Sequence, residues 1–332
     1  MTTDRDFCRT VLPDVSRTFA LGIRLLPPAL SYSVSIAYLI CRIADTIEDS
    51  ALHSIDERRT LLAAVERALA NPRGGIAGLE RGPWPAAERA LMVSSDRVFR
   101  EFSHLPQQEQ AIVANWVREM ISGMSASLSA TGRSATTPFE DLADLHRYCY
   151  YVAGTVGHLL TDLFQVHSKR IDPARHAQLD ALASDFGLGL QLTNVTRDMA
   201  EDVRDGRNFV PAAIWSAAAL APGDLFASGQ EDASWRVAAP LADEAATYLG
   251  QALSYCCALP RTEMRVRFFC YTSLIFAART LSLIEQQRAD YVRGRRIKMT
   301  RLNVYSLLVV SLLCIPSNTL LRMLFRAVAP SR

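Results

Sequence analysis

Along nearly the whole chain, apolar residues return every three and four positions, which is the repeat of an amphipathic helix and not of a strand. Leu61, Leu62, Val65 and Leu69 form one such stripe, and Ile112, Val113, Trp116, Val117 and Met120 form another. Alternating runs of strand type are sparse and no internal repeat is visible, so the chain is expected to be all-α. Its 332 residues, 49% of them hydrophobic, can bury a large core as one big domain or two smaller ones. Gly-, Pro-, Ser- or Asp-rich breaks fall at 71–85, 129–138 and 221–232. None is long or biased enough to be a flexible linker between domains.

A net charge of +2 neither demands nor excludes a polyanionic partner, so local clusters must carry any such reading. The seven cysteines, Cys8, Cys41, Cys149, Cys256, Cys257, Cys270 and Cys314, are odd in number and show no CxxC spacing. Reduced thiols in a cytoplasmic chain fit this pattern, and a zinc site does not. The first residues contain no apolar stretch of signal-peptide type. The most apolar run, 304–325, is interrupted by Pro316, Ser317, Asn318 and Arg322, which predicts two short apolar helices in place of one spanning segment.

The sequence ADTIED, residues 44–49, ends an apolar stretch and sets three carboxylates, Asp45, Glu48 and Asp49, within five positions. Pro27 and Pro28 suit the first turn of the helix leading to it, so these carboxylates lie near that helix's C-terminal end. A helix C-terminus carries partial negative charge, so a compensating cation is required. On a helix, Asp45 and Asp49 project from one face about a turn apart. Oxygen ligands so placed are what Mg²⁺ recruits when it bridges protein carboxylates to phosphate oxygens. The plainer alternative is a solvated acidic helix end paired with a neighbour such as Arg42.

Residues 194–211 repeat the spacing, with Asp198 and Asp202 four apart and Glu201 between them, again after an apolar helical run. Two DxxED arrays of this kind can face each other across a cavity and hold Mg²⁺ ions around a diphosphate. Arg197, Arg204 and Arg207 flank the second array and suit the remaining phosphate oxygens. An ordinary helix with i,i+4 ion pairs is the alternative here.

Four segments in one order carry a resemblance to a known family. DVSRTFALGIRLLP (14–27) resembles the N-terminal substrate segment of the head-to-head trans-isoprenyl diphosphate synthases, the squalene/phytoene synthase family, and YLICRIADTIED (38–49) resembles their first aspartate-rich motif. YCYYVAGTVGHLLTDLF (148–164) is similar to the family's central helix, and QLTNVTRDMAEDVRDGRNFVP (191–211) to its second aspartate-rich motif. The likeness spans about residues 12–290. It implies a single-domain isoprenoid synthase fold over residues 1–292, its helices surrounding a deep apolar pocket. Residues 293–332 would then be a basic segment and short apolar helices, belonging to the same domain or associating with a membrane.

The resemblance also implies a reaction. Two farnesyl diphosphates condense to presqualene diphosphate, which NADPH reduces to squalene; a non-reducing dehydrosqualene or phytoene synthase is the alternative, and a non-catalytic lipid-binding or assembly homologue a more remote one. Asp45, Glu48, Asp49, Asp198, Glu201 and Asp202 would hold about three Mg²⁺ ions. Ser16, Arg17, Phe19, Tyr38, Arg42, Gln191, Asn194, Arg197 and Arg207 match substrate-binding positions, and Tyr151 matches a tyrosine that removes a proton. On the residues alone, Phe19, Tyr38 and Tyr151 offer π faces to a carbocation, or else fill the core. Gly154 and Gly157 bare one helix face, for a substrate chain or a helix neighbour.

No GxGxxG follows a strand, so a Rossmann domain is excluded. RGRRIKMTRLNVYSLL (293–308) instead resembles the basic segment that squalene-forming members carry near the nicotinamide nucleotide, with Arg296, Lys298 and Arg301 at its phosphates. The same cations beside an apolar tail also suit an anionic membrane surface. The expected location is cytoplasmic, with peripheral contact at the cytoplasmic membrane face, and nucleic acid is not an expected partner.

Overall fold

Local sequence sets the helix boundaries in this computed structural model, which describes residues 3–16, 18–72, 76–130 and 139–330. Helix α3 (Pro28–Glu48) opens on the proline pair, with Pro27 as N-cap in extended backbone and Pro28 as first helical residue. Helix α4 (Ile55–Ala70) opens on a capping box in which Ser54 and Glu57 exchange side-chain and backbone bonds, an arrangement worth about 1 kcal/mol. Among the described residues there is no strand. Two of the expected breaks fall partly outside them, at 73–75 and 131–138.

The chain divides into two compact units. The first is Met1–Ser129 with His158–Asp172. It holds α1 (Asp4–Ser16), α2 (Thr18–Leu25), α3, α4, α5 (Arg89–Val93), α6 (Ser95–Phe102), nearly all of α7 (Gln107–Ala130) and the latter part of α9 (Thr155–His167). Helix α3 is its centre. It packs against α1, α2, α4, α5 and α6, burying Leu30, Val34, Ile36, Leu39, Ile40, Ile43 and Ile47. Each such side chain removed from water contributes about 1.5–3 kcal/mol. Arg97 and Arg100 both bond Asp4, each at 2.7 Å, and tie α1 to α6.

The second unit is Ala130–Gly157 with Pro173–Arg332, so residues 293–332 fall inside it. It contains α8 (Leu142–Cys149), a π-helical segment (Tyr150–Gly154), α10 (Pro173–Arg204), α11 (Ala212–Ala218), α12 (Glu231–Ala258), α13 (Met264–Gln286), α14 (Arg288–Tyr291), α15 (Arg301–Cys314) and α16 (Asn318–Val328). The long helices α10 and α12 pair along their length, and α13 packs on both. Helices α3 and α13 are long and apolar enough to cross a bilayer, but 67% and 83% of their apolar windows are buried, which is how core helices behave. The apolar tail forms two short helices, α15 and α16, broken at Pro316. Buried Arg267 of α13 pins their connection, donating to the carbonyls of Leu259 (2.6 Å) and Ile315 (3.1 Å) and to Asn318 Oδ1 (2.7 Å).

Candidate active site

In the first unit, the array at 45–49 closes α3, with Asp49 as its C-cap. Glu48 is buried, Asp45 half-buried and Asp49 exposed. Burial and the neighbouring charge of Asp49, opposed by Arg42, push the Asp45 carboxyl up to about 7. The cation needed at this helix end comes from α4, where Arg58 donates to the Glu48 carbonyl at 2.8 Å. Arg42 makes its ion pair with the buried Glu88 at 2.6 Å, so the simple pairing of Arg42 with an acidic helix end is not what forms. Asp45 and Asp49 remain a turn apart on one face, and such hard oxygen donors suit Mg²⁺.

Around the junction of α1 and α2 stand several of the expected substrate residues. Ser16 is buried at the end of α1, its hydroxyl donating to the Leu12 carbonyl at 2.7 Å. The Tyr38 hydroxyl donates to the Val15 carbonyl at 3.3 Å, and its ring lies 6.2 Å from that of Phe19. Phe19 is 38% exposed and is no core filler. Burial pushes the Tyr38 phenol up to about 12, which keeps it neutral. Arg17 lies outside the described residues.

In the second unit, the array at 198–202 lies in the last turns of α10. Three guanidinium groups meet its three carboxylates. Arg197 grips Asp198 with two bonds of 2.9 and 2.5 Å, and Arg207, beyond the helix end, reaches Asp202 at 3.0 Å. Arg296, from the basic segment, approaches Glu201 at 3.2 Å and Asp198 at 3.9 Å. This is not the i,i+4 lattice of an ordinary surface helix, since two of the cations come from outside α10. Half-buried Asp198 and Glu201 and buried Asp202, beside arginines, form a donor set that fits Mg²⁺ and a diphosphate together. Lys298 and Arg301 are exposed and form no ion pair among the described residues.

Tyr151 lies in the π-helical segment, half-buried, its ring 5.3 Å from that of Tyr150. Single π turns inside α-helices recur at functional sites. The glycines around it serve close helix packing. A Cβ on Gly157 would overlap the Ala183 carbonyl, and one on Gly187 the Ala153 carbonyl, so the segment sits directly against α10. Gln191 and Asn194 are half-buried on α10 in the turns before Asp198. Buried Tyr291 fixes that stretch by donating to the Thr196 carbonyl at 2.6 Å. Sequence reasoning missed Arg58, whose partner lies on the preceding helix, and Glu88 and Tyr291, whose partners are remote in the chain and leave no local signal.

The profile of the squalene/phytoene synthase family matches residues 12–303, and the chain belongs to that family. The squalene synthase of Schizosaccharomyces pombe is 32% identical over 278 residues, 83% of this chain and 59% of that protein. The squalene synthase of Saccharomyces cerevisiae is 30% identical over 281 residues, 85% of this chain and 62% of that one. The chain spans about half to three-fifths of the length of the curated relatives it matches. The structure of TcSQS with the ligand E5700 superposes with a TM-score of 0.83 at 26% identity, covering 99% of this chain and 93% of that one. A dehydrosqualene synthase structure, at 23% identity and TM-score 0.65 over 93% of this chain and 95% of that one, shares the fold.

Proposed function

We propose that this chain is a Mg²⁺-dependent transferase that joins two farnesyl diphosphates head to head and reduces presqualene diphosphate to squalene with NADPH. The observation that carries the reading is the contact of Arg296 with Glu201 and Asp198, because it brings a segment resembling a nucleotide-binding one to the carboxylates of the second array. In the proposed reaction one farnesyl diphosphate loses diphosphate, its allylic carbon bonds to the other's double bond, and a proton leaves as the cyclopropane closes. Loss of the second diphosphate and addition of a hydride complete squalene. Asp45 and Asp49 with Glu48 in support, and Asp198 and Asp202 with Glu201 in support, would hold Mg²⁺, which when bound would supply the positive charge that favours departure of diphosphate.

The remaining steps fall to this chain's own groups. Arg42, Arg197 and Arg207 take diphosphate oxygens, exchanging their present carboxylate partners for phosphate. Ser16 and Arg17 bind at the substrate segment, Gln191 and Asn194 line the α10 side, and Phe19 and Tyr38 present π faces to the allylic cation. Tyr151 accepts the proton lost in the first half-reaction. Lys298 and Arg301, which form no ion pair among the described residues, take nucleotide phosphates, with Arg296 completing the set. The enzyme works in the cytoplasm, with the C-terminal region in peripheral contact with a membrane.

Asp45→Ala and Asp198→Ala, made separately, test the reading. Each variant should keep its helical circular dichroism and lose at least about a thousandfold in diphosphate release from farnesyl diphosphate. Near-normal release by either variant would remove its array from the chemistry.

A further inference from the structure

Helices α15 and α16 invert the pattern of a water-facing surface helix. The buried side chains of α15 are Ser311 and Cys314, whereas Leu302, Tyr305, Val309, Leu312 and Leu313 are exposed, Leu302 at 75% and Leu313 at 70%. Their spacing of three and four positions sets them on one helix face. Leu320 and Met323 extend the exposed apolar surface on α16. The two helices pack on each other and on α13, and the Arg267 bonds hold their connection, so this surface is built and not frayed. Exposed apolar surface of this breadth marks an interaction site.

The charge around it points to the occupant. No Asp or Glu follows Asp290 in the sequence. Arg322 and Arg326 stand exposed beside Leu320 and Met323 and form no ion pair among the described residues. A second copy of the chain docked on this face would meet the same unneutralised cations, whereas lipid phosphates would neutralise them. The fourteen residues of α15 span about 21 Å, short of the roughly 30 Å hydrocarbon core, so the helix suits the plane of the interface and not a crossing.

We propose that the outer face of α15 and α16 docks on an anionic lipid bilayer, inserting Leu302, Tyr305, Val309, Leu313, Leu320 and Met323 while Arg322 and Arg326 bind headgroup phosphates. The proposal deepens the membrane contact stated above and is independent of which hydrocarbon the enzyme makes. Lying flat, the helix pair fixes the orientation of the second unit on the membrane.

Co-sedimentation of the full chain with vesicles of phosphatidylcholine alone, and of phosphatidylcholine with phosphatidylglycerol, tests it. Binding should favour the anionic vesicles and weaken with salt. Val309→Glu with Leu313→Glu should lower vesicle affinity roughly a hundredfold, and Arg322→Ala or Arg326→Ala about fivefold each, on anionic vesicles only. All these positions are exposed, and an unchanged thermal melt confirms folding. Farnesyl diphosphate consumption in detergent should also be unchanged, which separates failure of the docking surface from failure of the enzyme reading. Absence of vesicle binding by the wild-type chain overturns the proposal. So does a wild-type dimer in solution that the double variant abolishes while vesicle binding persists, since the face would then belong to a second copy. Undiminished vesicle binding by the double variant overturns it as well.

Discussion

Adding one methyl group at Gly157 should cost stability, whereas the same change at Gly250 should add to it. Both glycines lie in helices, where replacing Gly with Ala gains up to about 1 kcal/mol from backbone entropy. At Gly250 a Cβ meets nothing within 4 Å, so the gain is realised in full. At Gly157 the new Cβ overlaps the backbone carbonyl of Ala183 on α10, and α10 is held along its length by α12. Overpacking against backbone costs about 1–3 kcal/mol, which outweighs the propensity gain. The propensity gain is common to both, so the two variants should differ by the overpacking cost, roughly 1–3 kcal/mol. With an unfolding entropy of about 2.1 cal/mol/K per residue, this separates their Tm values by about 1–4 °C, with wild type between them. Because the displaced segment carries Tyr151, Gly157→Ala should also lose about tenfold or more in farnesyl diphosphate turnover, and Gly250→Ala should lose none. Scanning calorimetry and a turnover assay on the three proteins decide the matter. Equal Tm values and equal rates for the two variants would refute the close packing of the π-helical segment on α10.

Two further outcomes follow from the same geometry. Lys298→Ala with Arg301→Ala should leave farnesyl diphosphate consumption intact while raising the NADPH concentration needed for squalene, with presqualene diphosphate accumulating; an unchanged NADPH requirement would take the nucleotide away from this segment. Hydrogen bonds from Arg100 and Arg97 hold the Asp4 carboxyl down to about 2, so its stabilisation is full above the usual carboxylate range and is lost as pH falls through about 2. Asp4→Asn should therefore lower Tm slightly at neutral pH, by the equivalent of no more than about 1 kcal/mol, and should blunt the loss of stability between about pH 4 and pH 2. Parallel acid profiles for the two proteins would contradict this.

Helix identity was legible because the apolar period and the breakers are local. The Pro27–Pro28 start of α3 and the division of the tail at Pro316 both follow from neighbouring residues. The placement of each aspartate array at a helix end was legible for the same reason. What no local pattern encodes is the partner of a charge. Arg42 is four residues from Thr46 and close to Asp45 in sequence, yet it pairs with Glu88 across the unit. Arg296 meets carboxylates nearly a hundred positions earlier. The π turn at Tyr150–Gly154 was hidden because one wider turn hardly alters the apolar repeat on either side. Gly154 and Gly157 announced a bare helix face, and only the fold shows that α10, and not a substrate chain, fills it at Gly157, while Gly187 of α10 in turn admits the Ala153 carbonyl.

The central claim is that the basic segment beside the second aspartate array makes this a reducing enzyme. Incubating the purified chain with farnesyl diphosphate and Mg²⁺, with and without NADPH, and weighing the extracted hydrocarbon by mass spectrometry tests that claim most directly. Squalene formed only in the tube with NADPH is the predicted result. Dehydrosqualene in both tubes, or no hydrocarbon in either, would contradict it.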